Sequence, residues 1–137
     1  MSGNTFFLSV FASDKIFYKG KVQKLIIPLS DGEKAVLPHH EDMVIAVSIG
    51  EMRILTEDDQ WIEAVVGEGF VQIVNNRVTL LVATAEKPED IDRRRAEEAR
   101  ERAEEQLRQS KSIQEHSHFE ASLARSLARL RLKDKYK

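Results

Sequence analysis

The chain has 137 residues, 42% hydrophobic and 32% charged, with 21 Lys and Arg against 23 Asp and Glu and no cysteine. That length suits one packed domain with an appendage rather than two full-sized domains, and the lack of cysteine excludes a disulfide framework, a thiolate metal site and a cysteine nucleophile. The net charge of -2 hides an asymmetry, 7 basic against 11 acidic side chains in residues 1–85 and 14 against 12 in residues 86–137, and neither half has the cationic excess of a nucleic-acid platform.

The start Met1-Ser2-Gly3-Asn4 lacks the basic and apolar regions of a secretory signal. No apolar run approaches the roughly 20 residues of a membrane helix, so membrane association is expected only through a partner. From Phe6 to Ala85 the β-branched and aromatic residues come in short bursts: Phe6-Phe7-Leu8-Ser9-Val10, Lys15-Ile16-Phe17-Tyr18, Val22 to Ile27 and Val44-Ile45-Ala46-Val47. Met52-Arg53-Ile54-Leu55, Trp61 to Val66, Phe70 to Val74 and Val78 to Val82 continue the pattern. Ser13-Asp14, Gly20, Ser30-Asp31-Gly32, Gly50, Glu57-Asp58-Asp59, Gly67 and Asn75-Asn76 lie between them as turn chemistry. This spacing predicts an all-β sandwich or barrel of eight to ten strands, and residues 1–85 are assigned to a β sandwich of about ten strands. Asn75-Asn76 is the clearest hairpin turn, because asparagine tolerates the positive φ that a two-residue loop requires.

Past Pro88 the grammar becomes helical, with no further Gly or Pro. Pro88 is placed in the first helical turn, with Glu89, Asp90 and Asp92 near the positive end of the helix dipole. Ala96, Ala99, Ala103 and Leu107 form a narrow stripe that invites a second helix over residues 119–132. There Leu123, Leu127 and Leu130 make one face and Ala121, Ala124 and Ala128 another. The polar segments Gln109 to Ser112 and His116-Ser117-His118 are expected to turn the chain. Residues 86–137 therefore read as a helical hairpin, with one long helix as the other conformation available to the same residues. Its small apolar stripe buries little area, which puts packed and extended forms close in energy.

Phe6-x-Leu8-x-Val10, Gly32-x-x-Ala35-Val36-Leu37-Pro38-x-His40, Gly67-x-Gly69-Phe70-Val71, Asn75-x-x-Val78 and Ala83-x-Ala85-Glu86 occur in this order, followed by Asp90-Ile91-Asp92-x-x-Arg95-Ala96. In that order and spacing the whole chain resembles the epsilon subunits of bacterial F-type ATP synthases. One departure is Glu41-Asp42 after His40, where the family has a small residue and a proline. The resemblance implies a non-catalytic rotor subunit of the F1 sector, peripheral at the cytoplasmic side of the cell membrane. It implies a sandwich bound to the gamma subunit and the c-ring, and an arm that reaches the alpha and beta subunits and inhibits ATP hydrolysis when extended. The alternative is a free-standing nucleotide-sensing adaptor of another complex, which co-purification with a large ATPase would decide against. A nucleic-acid-binding barrel is disfavoured by the acidic β module.

Two adjacent histidines, His39 and His40, could suggest a metal or a general base, but a metal site needs three or four ligands. A turn with one imidazole hydrogen-bonded to the backbone is the better reading. His116 and His118 are expected to be solvated, and Gly67-Glu68-Gly69 lacks the strand-to-helix context of a nucleotide fingerprint. No catalytic constellation appears. The hexapeptide Ile91-Asp92-Arg93-Arg94-Arg95-Ala96 is explained without a ligand as a helix start with solvated arginines. The resemblance gives it a second reading, a regulatory ATP site in which magnesium is possible but not required. Asp92 and its i,i+3 partner Arg95 are then placed on one helical face, Ala96 leaves room for a flat base, and Ile91 completes the motif. Glu86 matches the family position that approaches the adenine, and Arg125 and Arg129 supply forks to phosphates once the hairpin folds back.

Overall fold

The computed structural model describes residues 4–136, so the start Met1-Ser2-Gly3 and Lys137 lie outside the described residues. Alternation of inward apolar and outward polar side chains builds nine strands: β1 (Phe6–Ala12), β2 (Lys15–Leu29), β3 (Gly32–Val36), β4 (Met43–Val47), β5 (Gly50–Thr56), β6 (Trp61–Val66), β7 (Gly69–Val74), β8 (Arg77–Val82) and β9 (Ala85–Glu86). They form one continuous hydrogen-bonded surface in the order β4-β7-β8-β1-β2-β5-β6-β9, with β3 also on β2. The long β2 serves both layers: its first half pairs with β1 and its second half with β5 and β3. The register with β5 shifts between Val22 and Lys24. Irregularities of this kind bend a strand, and folding the surface at β2 makes the sandwich.

The expected strands differ from these at three places. Lys15–Tyr18 and Val22–Ile27 are one strand, because Gly20 pairs with Leu8 inside the antiparallel β1–β2 ladder instead of turning the chain. Short β3 and β9 were not separate bursts, because each is mostly polar or small and owes its conformation to its neighbour in the ladder. The Asn75-Asn76 hairpin is as expected: both residues have positive φ (50° and 61°) between Val74 and Arg77, which face each other across β7 and β8. Gly69 is required for a different reason. A Cβ there would lie 1.8 Å from the Leu81 carbonyl oxygen, so only glycine lets β7 approach β8 this closely.

The main core takes Leu8, Val10, Val71, Ile73, Val78 and Leu80 from one layer and Leu25, Ile27, Val36, Met52, Ile54 and Val66 from the other. Every buried member of that core lies on a strand. Hence a chain truncated after Ala85 is expected to fold alone and unfold cooperatively, as followed by far-ultraviolet circular dichroism. An unfolded fragment would show that the sandwich depends on the arm.

Helices α1 (Arg93–Arg108) and α2 (Ile113–Lys135) then form the hairpin. Pro88 does not open α1. It starts a separate 3-10 turn, Pro88–Asp90, and α1 begins only after Asp92. The reversal uses only the first of the two polar segments. Ser110 Oγ donates to the Leu107 carbonyl at 2.9 Å, and Ser112 caps α2 by accepting from the Glu115 N–H at 3.1 Å. Glu115 in return accepts from the Lys111 N–H at 2.9 Å, a close variant of the capping box. His116-Ser117-His118 consequently lie inside α2, exposed, with His116 Nε2 3.4 Å from Glu120.

Candidate functional site

The segment that joins sandwich to arm is shaped residue by residue. A residue before proline is pushed out of the helical region, and Lys87 is extended at φ -79°, ψ 157°. The 3-10 turn closes with the Ile91 N–H on the Pro88 carbonyl at 3.2 Å. Ile91 is extended and buried in a small second core with Val65, Ala128 and Leu132. Val65 is the one residue of Ala64-Val65-Val66 that faces away from the main core, so α2 docks on the outside of β6. The sequence reading placed Leu130 on the helical face and missed Leu132, which is the fully buried anchor.

Asp92 is the N-cap of α1. Its Oδ1 accepts from the Arg95 backbone N–H at 3.1 Å. It therefore stands before the helix rather than on a shared helical face with Arg95, and it orients Arg95 through the backbone, not through an ion pair. Ala96, buried one turn in, leaves space beside it. The result is a cleft of about 370 Å³ between β9, the 3-10 turn and both helices, lined by Glu86, Ile91, Asp92, Arg95, Ala96 and Arg129. Arg129 Nε donates to Glu86 at 2.6 Å, with both side chains about three-quarters buried. Arg125 is the one expected residue not in this cleft. One turn back along α2, it donates to Ser122 Oγ at 3.1 Å and lines a smaller groove of about 210 Å³ on the seam of the two helices.

The far end of α2 is fastened by polar contacts that sequence reasoning did not foresee. Lys133 Nζ donates to the Pro88 carbonyl at 3.0 Å, Lys135 Nζ lies 2.9 Å from Glu51 and 3.4 Å from Glu63, and Arg93 pairs with Asp134. Tyr136 Oη donates to Glu63. The hydrogen bond to Glu51 raises the pKa of Lys135, and the one to Glu63 raises that of Tyr136. The contacts that join these residues span some 40 to 85 positions of sequence, so no local pattern announces them. At the opposite end of the sandwich, His39 is a turn residue with φ 63° whose N–H donates to Asn76 Oδ1, and His40 Nδ1 lies 2.8 Å from the Glu41 carbonyl. The pair is thus held by backbone and turn contacts, as expected.

Comparison with known proteins gives a consistent result. Residues 5–88 match the family model for the ATP synthase delta/epsilon chain β-sandwich domain, and residues 89–134 match that for its long α-helix domain. An ATP synthase epsilon chain of Ruminiclostridium cellulolyticum is 46% identical over 92% of this chain and 93% of its own length. One from Caldanaerobacter subterraneus is 39% identical over 96% of both, and a chloroplastic one from Pelargonium hortorum is 36% identical over 92% of both. Among solved structures, a chain of the Euglena gracilis mitochondrial ATP synthase superposes with a TM-score of 0.79, covering 97% of this chain and 82% of that one at 21% identity. At that identity the superposition speaks for the fold.

Proposed function

Because the chain belongs to the family of ATP synthase epsilon chains, we propose that it is a non-catalytic rotor subunit whose helical hairpin is held compact by ATP bound in the cleft at Glu86, Ile91, Asp92, Arg95, Ala96 and Arg129. The free-standing adaptor is set aside, since both halves of the chain match this family. The observation that carries the ATP reading is that Glu86 of β9 and Arg129 of α2, distant from each other in sequence, line the same cleft as the contiguous motif Ile91 to Ala96. A ligand there touches sandwich, α1 and α2 together. It therefore binds only the compact form and shifts the arm toward it.

In this reading the base lies against Ile91 and Ala96 with Glu86 at its edge, and Arg95 and Arg129 take the phosphates. Guanidinium forks supply the counter-charge, so no divalent cation is required. The sandwich binds the gamma subunit and the c-ring, which makes the chain peripheral to the cell membrane on the cytoplasmic side. Among the described residues no helix is long and apolar enough to cross a membrane. Without ATP the extended arm meets the alpha and beta subunits and blocks rotation in the direction of hydrolysis.

Arg95→Ala and Asp92→Ala are each expected to weaken ATP binding to the isolated chain. A lost hydrogen bond to a charged group costs about 1.5 to 3 kcal/mol, or roughly ten-fold or more in affinity. Asp92→Asn keeps a good N-cap and separates capping from charge. Calorimetry that gives all three variants the affinity of the unmodified chain would remove the site.

A further inference from the structure

Along β6 the residues that face away from the main core are Trp61, Glu63 and Val65, since Ile62, Ala64 and Val66 face it. Docked α2 covers these three unequally. Val65 is sealed by Leu132, and Glu63 receives Tyr136 and Lys135. Trp61 lies two positions further on, where α2 has ended, and half of it is exposed. Beside it is a pocket of about 440 Å³, within the size range of small-molecule sites.

The walls come from three parts of the chain: Trp61 and Ile62 from the sandwich, Lys87 and Pro88 from the linker, and Lys133 and Tyr136 from the arm. No lining residue is shared with the nucleotide cleft. Indole and phenol supply aromatic surface, and Ile62 and Pro88 supply aliphatic surface. Among the described residues, neither Lys87 nor Lys133 has a carboxylate within ion-pair distance: Lys87 Nζ lies 5.8 Å from the centre of the Phe17 ring, and Lys133 Nζ donates to the Pro88 carbonyl at 3.0 Å. An ammonium group carries three N–H donors, so both lysines keep donors to spare. Of the carboxylates on the lining, Glu63 is taken by Tyr136 and Lys135, and exposed Glu89 offsets only one of the two ammonium charges.

We propose that this pocket binds a planar aromatic carboxylate, with its ring against Trp61 and Tyr136 and its carboxylate held by Lys87 and Lys133. A flat ring removes the exposed indole face from water, and a carboxylate accepts from the two ammonium groups. An aliphatic anion meets only the second need and a neutral ring only the first. Because the walls belong to sandwich, linker and arm, the ligand binds the compact form alone and shifts the arm toward it. The pocket is thus a second input to the position of the arm, and it does not depend on the nucleotide cleft.

The test is calorimetry of the full chain with 2-naphthoate, with neutral 2-naphthalenemethanol, which keeps the rings, and with hexanoate, which keeps the charge. Quenching of Trp61, the only tryptophan, reports where the probe lies. 2-Naphthoate is expected to quench Trp61 saturably and to bind about ten-fold or more tightly than either analogue. Lys87→Gln and Trp61→Ala should each weaken it about ten-fold. Lys111→Gln, a control for overall charge at the turn between the helices, should leave it within about two-fold. Saturating ATP should leave 2-naphthoate bound at least as tightly, because both ligands take the compact form. Equal affinity for the three probes, no quenching, or unchanged affinity in Lys87→Gln overturns the proposal. Displacement by ATP also overturns it, since the probe would then occupy the nucleotide cleft. A chain that binds 2-naphthoate as expected and binds no ATP keeps this pocket and loses the nucleotide reading.

Discussion

Replacing Leu132 by alanine is expected to lift α2 off the sandwich while the β core stays folded. Leu132 is fully buried, and its cluster with Val65, Ile91 and Ala128 is separate from the main core. Truncating a buried leucine to alanine costs about 2 to 5 kcal/mol. The half-exposed ion pairs at the end of α2, such as Lys135 with Glu51, are each worth about 0 to 1 kcal/mol. The apolar anchor therefore outweighs the polar fastenings. Every 1.4 kcal/mol taken from docking lowers the ratio of docked to undocked arm about ten-fold. Once the undocked form prevails, apparent ATP affinity falls with the docked fraction.

Limited proteolysis of the linker around Lys87 should accelerate in Leu132→Ala, while exposed Arg131→Ala on the same helix should behave as the unmodified chain. Thermal unfolding of the sandwich should be unchanged. Unaltered proteolysis and ATP affinity in Leu132→Ala would mean that this cluster does not hold the arm.

Features that depend on local chemistry were legible in the sequence. Asn75-Asn76 gave the hairpin because the residues that need positive φ are the residues that tolerate it, and the alternation around Met52 and Ile54 gave a strand because one face is buried. Gly20 misled because a glycine does not itself end a strand: the partner strand decides, and β1 continues past it. Ser112-x-x-Glu115 was a readable cap signal that places the start of α2 six residues before the segment first assigned to it.

The candidate site divides in the same way. Ile91 to Ala96 was found because a short motif occupies consecutive residues, Glu86 came from resemblance alone, and Arg129, 43 residues away, came from sharing a helical face with Arg125. Arg102, which also lines the cleft, was not among the expected residues, although a local signal existed: it is an arginine without a glutamate four positions on, in a helix where three others have one. Leu132 and the contacts of Lys135 and Tyr136 had no such signal. They depend on how α2 lies across β5 and β6, which only the fold supplies.

The double replacement Arg125→Ala/Arg129→Ala and the single replacement Asp92→Ala are expected to move inhibition in opposite directions, though both reduce ATP affinity. Asp92→Ala removes the α1 cap, worth about 0.5 to 2 kcal/mol, and with it the alignment of Arg95. The compact form is weakened while the cations of α2 are intact, so the arm is released with its inhibitory surface complete and inhibition deepens. The double variant also loosens the compact form, because Arg129 no longer pairs with Glu86. It takes from the extended arm, however, two guanidiniums that would meet acidic surfaces of the catalytic subunits. Loss of such charge-assisted contacts costs about 1.5 to 3 kcal/mol each, and the extended state loses two of them where the compact state loses one, Arg129 with Glu86. Inhibition should therefore be relieved even though the arm extends more often. Hydrolysis assays on complexes rebuilt with the unmodified chain and each variant provide the measurement. Rates lower than the unmodified complex with Asp92→Ala and higher with the double variant support the two-state arm, and equal rates in all three would show that the arm is not the brake.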